Sequence, residues 1–374
     1  MKRFVIFFIS LAVFLLLPMS ASSQDFDSEK YNNQLAQYDF DSFEETLDKD
    51  TYGILEDLGI LDYSIDSITS LSFSDAVDVV KRIIGNKLRL PFKTGITIMV
   101  LILLSAFLQS INNEKTEALY STASALIIST VILARLTDSV SMASMAMSVS
   151  ANFIYAFIPV FCAIVVASGG VTTAMSTNTT LLLLSQGLSF ISTNMFMPVI
   201  NCYLALGVSS SLRYELNLDK LLISIKKFIT TCISFIAGVF VSILSVKTAV
   251  AGRADALGLR SVRFAINSIV PVIGSSISEG LLSIQAYSSL VKSSVGVVGI
   301  IAVCLVFLPA ILDITMWRIS IGVCSVVSDV FGDKSVSSVL NAFSNGLVLI
   351  NVILILSMVT TIISIGVLVA AGGR

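Results

Sequence analysis

From Ser139 to Leu212 the chain runs through 74 residues without an aspartate, glutamate, lysine, arginine or histidine. No soluble domain solvates its surface that way. A helix needs about 20 apolar residues to cross the roughly 30 Å hydrocarbon core of a bilayer, and it satisfies every backbone group within its own segment. The uncharged stretch is long enough for more than one crossing. Composition agrees, with 55% hydrophobic and 13% charged residues and a mean hydropathy of +0.92. The fold class expected is all-α, a polytopic helical membrane protein.

The N-terminus differs from the rest. Lys2 and Arg3 precede an apolar run from Phe4 to Leu17 and then PMSASS. This pattern predicts a cleavable signal peptide over 1–23. Residues 24–80 hold fifteen acids against two lysines, whereas 81–374 hold ten acids against nineteen lysines and arginines. Residues 24–71 are therefore read as an acidic extracytoplasmic leader, with short helices and no robust core around Phe26, Tyr38, Phe40, Phe43 and Leu47. Residues 72–92 follow as an amphipathic interfacial helix, opened by Ser72 and Asp75 in a capping-box pattern, with Val77, Val80, Ile84 and Leu88 on one face.

The remaining 93–374 form the multi-span domain. About seven spans are expected, at 94–111, 118–136, 152–168, 179–200, 228–246, 295–312 and within 341–370. Segments 201–212, 264–291 and 319–330 are short or interrupted and read as broken or re-entrant pieces. Prolines recur in FIPVF, FMPVI, IVPVI and FLPAI, and the first is followed by the uncharged polar stretch 168–180. The basic run 247–263 is assigned to the cytoplasm by the excess of lysine and arginine expected there. The five cysteines, at 162, 202, 232, 304 and 324, all lie in apolar segments and read as packing residues.

Chemistry-bearing motifs are scarce. The chain has no histidine, no phosphate-binding G-x-x-x-x-G-K-[ST], no G-x-S-x-G and no C-x-x-C. Catalytic, metal-ligating and cofactor-binding sets are not expected, nor is a nucleic-acid partner. A few charges stand in apolar surroundings: Glu279, Lys292, Asp313, Arg318 and Asp329. Asp313, Trp317 and Arg318 read as a span end at the membrane interface, where tryptophan prefers to sit. Glu279 has two readings. A carboxylate at membrane depth costs roughly 2.5–3.5 kcal/mol, which favours a pore-facing or gating acid beside the break at Pro271 and Gly274. Alternatively, Gly274 and Gly280 mark a hairpin tip that leaves Glu279 at the interface.

The stretch LSVKTAVAGRADALGLRSVRFAINSIVPVIGSSISEG at 244–280 resembles the stage III sporulation protein AE family. Asp255, Arg260, Arg263, Phe264, Asn267, Pro271, Gly274 and Glu279 carry the likeness. LRLPFKTGITIMVLILLSAFLQSI at 88–111, VASGGVTTAM at 166–175 and FGDKSVSSVLNAFSNGLVLI at 331–350 support it. Family members often have a second acid one turn on, where Leu282 stands here. The resemblance implies a non-enzymatic membrane core component of the channel complex between mother cell and forespore, in the mother-cell membrane around the forespore. It implies other stage III sporulation proteins as partners, including a separate ATPase subunit and a forespore-membrane protein. Asp255, Arg260 and Arg263 would then meet another subunit or lipid headgroups, and a homo-oligomer is compatible. A free-standing secondary transporter and a passive scaffold are the competing readings.

Overall fold

The structure, a computed structural model, describes most of residues 28–63, isolated positions between 67 and 85, and residues 89–111, 114–212, 218–269 and 274–370. The expected signal peptide, most of 72–88, Pro271 and the side chains of 251–284 lie outside the described residues. Every regular element among those described is helical: α1 (Ser28–Leu35), α2 (Lys49–Asp57), α3 (Arg89–Ile111), α4 (Glu114–Ala167), α5 (Val171–Ile191), α6 (Met197–Leu212), α7 (Leu218–Ile269), α8 (Gly274–Val330) and α9 (Lys334–Ala370). A five-residue π-helical stretch, Ser192–Phe196, joins α5 to α6 without a break.

Among the described residues, six stretches are long and apolar enough to cross a membrane: Leu90–Ser110, Leu119–Ala167, Ala174–Ser210, Lys220–Lys247, Gln285–Val330 and Lys334–Val369. The count falls below the expected seven because 118–136 and 152–168 share one helix, α4, of 54 residues. The polar residues between them do not break it. Hydroxyls fold back on their own helix, as Ser129 does to the Ala125 carbonyl at 2.6 Å and Thr137 to that of Leu133 at 2.8 Å. Pro159 and Pro309 also sit inside continuous helices. The segments 201–212 and 319–330, expected as separate short pieces, extend α6 and α8. α7 is described to Ile269 and α8 from Gly274, so the interruption expected within 264–291 is not tested by the described residues.

α8 and α9 are the most extensively packed pair of helices. Phe153, Phe157 and Phe161 stack at 5.2 and 5.1 Å along one face of α4. They meet glycines of α8: a Cβ on Gly299 would lie 2.8 Å from Phe157 Cζ, and one on Gly296 would lie 3.5 Å from Phe161 Cζ. Close approach of small residues is how helices associate in lipid, where burying apolar surface gives no driving force. Trp317 is fully buried within α8 while Arg318 is exposed. Trp317 therefore packs inside the bundle, with its ring shielded by neighbouring helices.

The leader also departs from its expectation. Tyr31, Leu55, Ile60 and Tyr63 are buried, and α1 and α2 pack on α8. Gln34 Oε1 accepts a hydrogen bond from Ser288 of α8 at 2.6 Å, and the Tyr31 hydroxyl donates to the Tyr63 carbonyl at 2.5 Å. Tyr63 takes a left-handed φ of 52°, unusual for a bulky residue, and stacks on Phe40 at 4.4 Å. Aromatic side chains thus give a short acidic segment a small core of its own.

Candidate functional site

The site is built at the turn between the last two helices. Gly332 has φ 77°, its N–H donates to the Asp329 carbonyl, and the Asp333 N–H donates to that of Ser328. This glycine-terminated helix end reverses the chain in three residues. The next residue opens α9: Asp333 Oδ1 accepts the Val336 N–H at 3.2 Å, an N-cap geometry.

Asp333 does more than cap. It is 2% exposed, and its carboxylate reaches two other helices. Ser105 and Gln109 of α3 donate to Oδ2, both at 2.8 Å, and Ser121 of α4 donates to Oδ1 at 2.6 Å. Gln109 also donates to Ser105 at 2.9 Å. Ser328 of α8 donates to the Asp333 carbonyl at 3.1 Å. One residue therefore ties together the ends of α3, α4, α8 and α9. Burying a carboxylate is costly unless its lone pairs are occupied, and here four donors occupy them.

A cavity of about 1070 Å³ opens beside this hub, between α6, α7 and the first turns of α9. Asp329 accepts the Ser337 hydroxyl at its rim, and Asn341 links Ser337 to Ser325 at 3.3 and 3.1 Å. Deeper in, Lys226 of α7 donates to Asn345 Oδ1 of α9 at 2.8 Å. Lys226 stands about 12 Å along α7 from its start, at a rise of about 1.5 Å per residue. Lys227, Lys334, Thr230 and Tyr203 complete a wall that is polar and cationic in a protein that is mostly neither.

A family model described as stage III sporulation protein AE matches residues 60–372. The chain belongs to the stage III sporulation protein AE family. The stage III sporulation protein AE of Bacillus subtilis strain 168 is 23% identical over 281 residues, covering 74% of this chain and 70% of that relative. No solved structure matches. The AE family match takes in the hub, the cavity and all the long helices, and begins at Ile60, after α1 and α2.

The sequence-derived candidates of this AE family chain fall elsewhere. Gly274 and Glu279 share the first two turns of α8, roughly 75 Å along that helix from Asp329. Asp255, Arg260 and Arg263 lie on the C-terminal half of α7, about 36 Å or more beyond the cavity residue Thr231. Their side chains lie outside the described residues. Asp333 and Lys226 were missed for a plain reason: one reads as an ordinary cap and the other as a span-boundary charge. The signal was the tripeptide Gly332–Asp333–Lys334 set between two apolar helices, within the stretch that supported the family likeness.

Proposed function

We propose that this multi-pass membrane protein is the non-enzymatic polytopic core of the channel complex that joins mother cell and forespore after engulfment. It resides in the mother-cell membrane surrounding the forespore. There it assembles with the other stage III sporulation proteins, a separate ATPase subunit and the forespore-membrane partner. The observation that carries this reading is the family match over 60–372, joined to a hub-braced polar cavity cut into an otherwise apolar bundle. A component meant only to fill lipid has no use for a cavity lined with lysines. Within this reading Glu279, beside Pro271 and Gly274, is the pore or gating acid, and Asp255, Arg260 and Arg263 meet another subunit or lipid headgroups.

The test is an in-frame deletion in the host that encodes the chain, followed by microscopy through sporulation. Forespores that are engulfed and then shrink or stall, with vegetative growth unchanged, support the reading. Normal spores with a solute-uptake defect replace it with a free-standing permease. A Glu279→Ala allele at normal protein level is expected to abolish spores, and a normal spore yield removes the gating role from that residue.

A further inference from the structure

We infer that the cavity between α6, α7 and α9 is a binding site for a water-soluble organic phosphate, its phosphate group held by Lys226, Lys227 and Lys334. The cavity lies where helices end. Its wall takes in Ser210 near the end of α6, Leu222 near the start of α7, Lys334 at the start of α9 and Gly332 in the turn after α8. Lys226 is half-buried and donates to Asn345 Oδ1 at 2.8 Å, which fixes its ammonium within the space. An ammonium has three donors, so two remain for a ligand. Lys227 and Lys334 reach the same space from α7 and α9 and are exposed. Asp329 and Asp333 also line it, but Asp329 accepts from Ser337 and Asp333 turns its carboxylate to the donors of α3 and α4. Three ammonium groups against these two carboxylates leave the wall cationic. None of the three lysines forms an ion pair with a described residue; the salt bridge found among those residues, Lys81 to Asp78, lies elsewhere.

The wall also selects the ligand. Among its side chains only Leu222, Ile223 and Ala342 are wholly apolar, whereas Thr231, Ser335, Ser338 and Asn341 add neutral hydrogen-bonding groups. That lining suits a molecule that is polar throughout and gives an acyl chain little to lie against. The cations are lysines, with no arginine among the described residues of the wall. A planar carboxylate is best gripped by the fork of arginine; ammonium groups converging from two helices surround a tetrahedral phosphate as point charges. About 1070 Å³ is more than a bare phosphate ion fills, and is the scale of pockets that take a whole small molecule. The phosphate is therefore one end of an organic ester, whose hydroxyls meet the Ser, Thr and Asn side chains.

The test uses the full chain purified in a neutral detergent and titrated by calorimetry with glycerophosphate. Malonate, a dicarboxylate of similar charge, and phosphatidylglycerol are titrated beside it. Glycerophosphate is expected to bind saturably and at least about tenfold more tightly than malonate. Lys227→Gln and Lys334→Gln should each weaken it about fivefold, and Lys226→Gln at least as much. Lys93→Gln, an exposed lysine of α3, should leave it unchanged. Lys227 and Lys334 are exposed, so their variants report even where Lys226→Gln fails to fold. Absence of saturable glycerophosphate binding overturns the assignment, as does malonate binding equally well or glycerophosphate binding that survives in a folded triple Gln variant. Binding of phosphatidylglycerol that glycerophosphate does not displace gives the pocket to a lipid and overturns it too. Because the isolated chain is used, this result and the sporulation phenotype fail independently.

Discussion

Ser121 donates a 2.6 Å hydrogen bond to Asp333 across 212 residues of sequence. That bond joins the first turns of α4 to the first residue before α9, and with Ser105 and Gln109 it makes one carboxylate the joint of four helices. Asp333→Ala removes the acceptor of all these donors and the N-cap together. The expected loss is about 2–4 kcal/mol, read as a lowered melting temperature in detergent. Asp333→Asn keeps the cap and one acceptor and should fall about midway. An unchanged melting temperature for the alanine variant would show that the hub is not a joint.

Gly299 is set against Phe157 with no room for a side chain. An added Cβ comes within 2.8 and 2.9 Å of ring atoms, so Gly299→Leu should destabilise the α4–α8 contact by about 1–3 kcal/mol through overpacking. Phe157→Ala in the same chain opens the space and should recover part of the loss. A double-mutant cycle on thermal melts reads the coupling, and strict additivity would place the two residues out of contact.

Gly332 tests the turn by itself. Nothing lies within 4 Å of a Cβ added there, yet φ is +77°, so the cost of Gly332→Ala is the backbone penalty alone, about 1–2 kcal/mol. Asparagine tolerates this region, and Gly332→Asn should cost less. Equal melting of the two variants would contradict the left-handed turn.

The docked leader should respond to alkali. Burial raises the Tyr31 phenol above its ordinary value; the Ser294 hydroxyl opposes the shift and Asp62 adds to it. Burial raises Tyr38 as well. A folded pKa above the unfolded value of about 10 means that this stabilisation is complete below that pH and is lost as pH rises through the folded value. Proteolysis at pH 11 should therefore cut within 28–63 while α3–α9 persist, and at pH 8 it should not. Tyr31→Phe lacks the bond to the Tyr63 carbonyl and should be cut more readily at pH 8. Equal cleavage of the native chain at both values would refute the dependence.

Much of this was legible in the residues. Uncharged length alone gave the fold class, and the ordered stretches from 88 to 350 gave the family. The boundaries were not legible, because serine and threonine look like breaks in a hydropathy trace and yet return their hydroxyls to their own helix, as Thr137 does. The burial of Trp317 was not legible either, because a preference for the interface says nothing of a neighbour able to bury the ring. The hub escaped notice because its partners, Ser105, Gln109 and Ser121, are unremarkable polar residues until a fold brings a carboxylate among them. The leader's core was underestimated because four aromatic and aliphatic side chains spread over 33 residues, Tyr31 to Tyr63, show no periodicity.

The Asp333 hub also sets an order of construction. Its donors are made first, on α3 and α4, and its acceptor follows 212 to 228 residues later. Until the ribosome has delivered the final helix, Ser105, Gln109 and Ser121 lack the carboxylate they serve. The last helix is thus the keystone of the arch. A nascent chain that ends before residue 333 carries an unlocked bundle, its three donors still without their common acceptor.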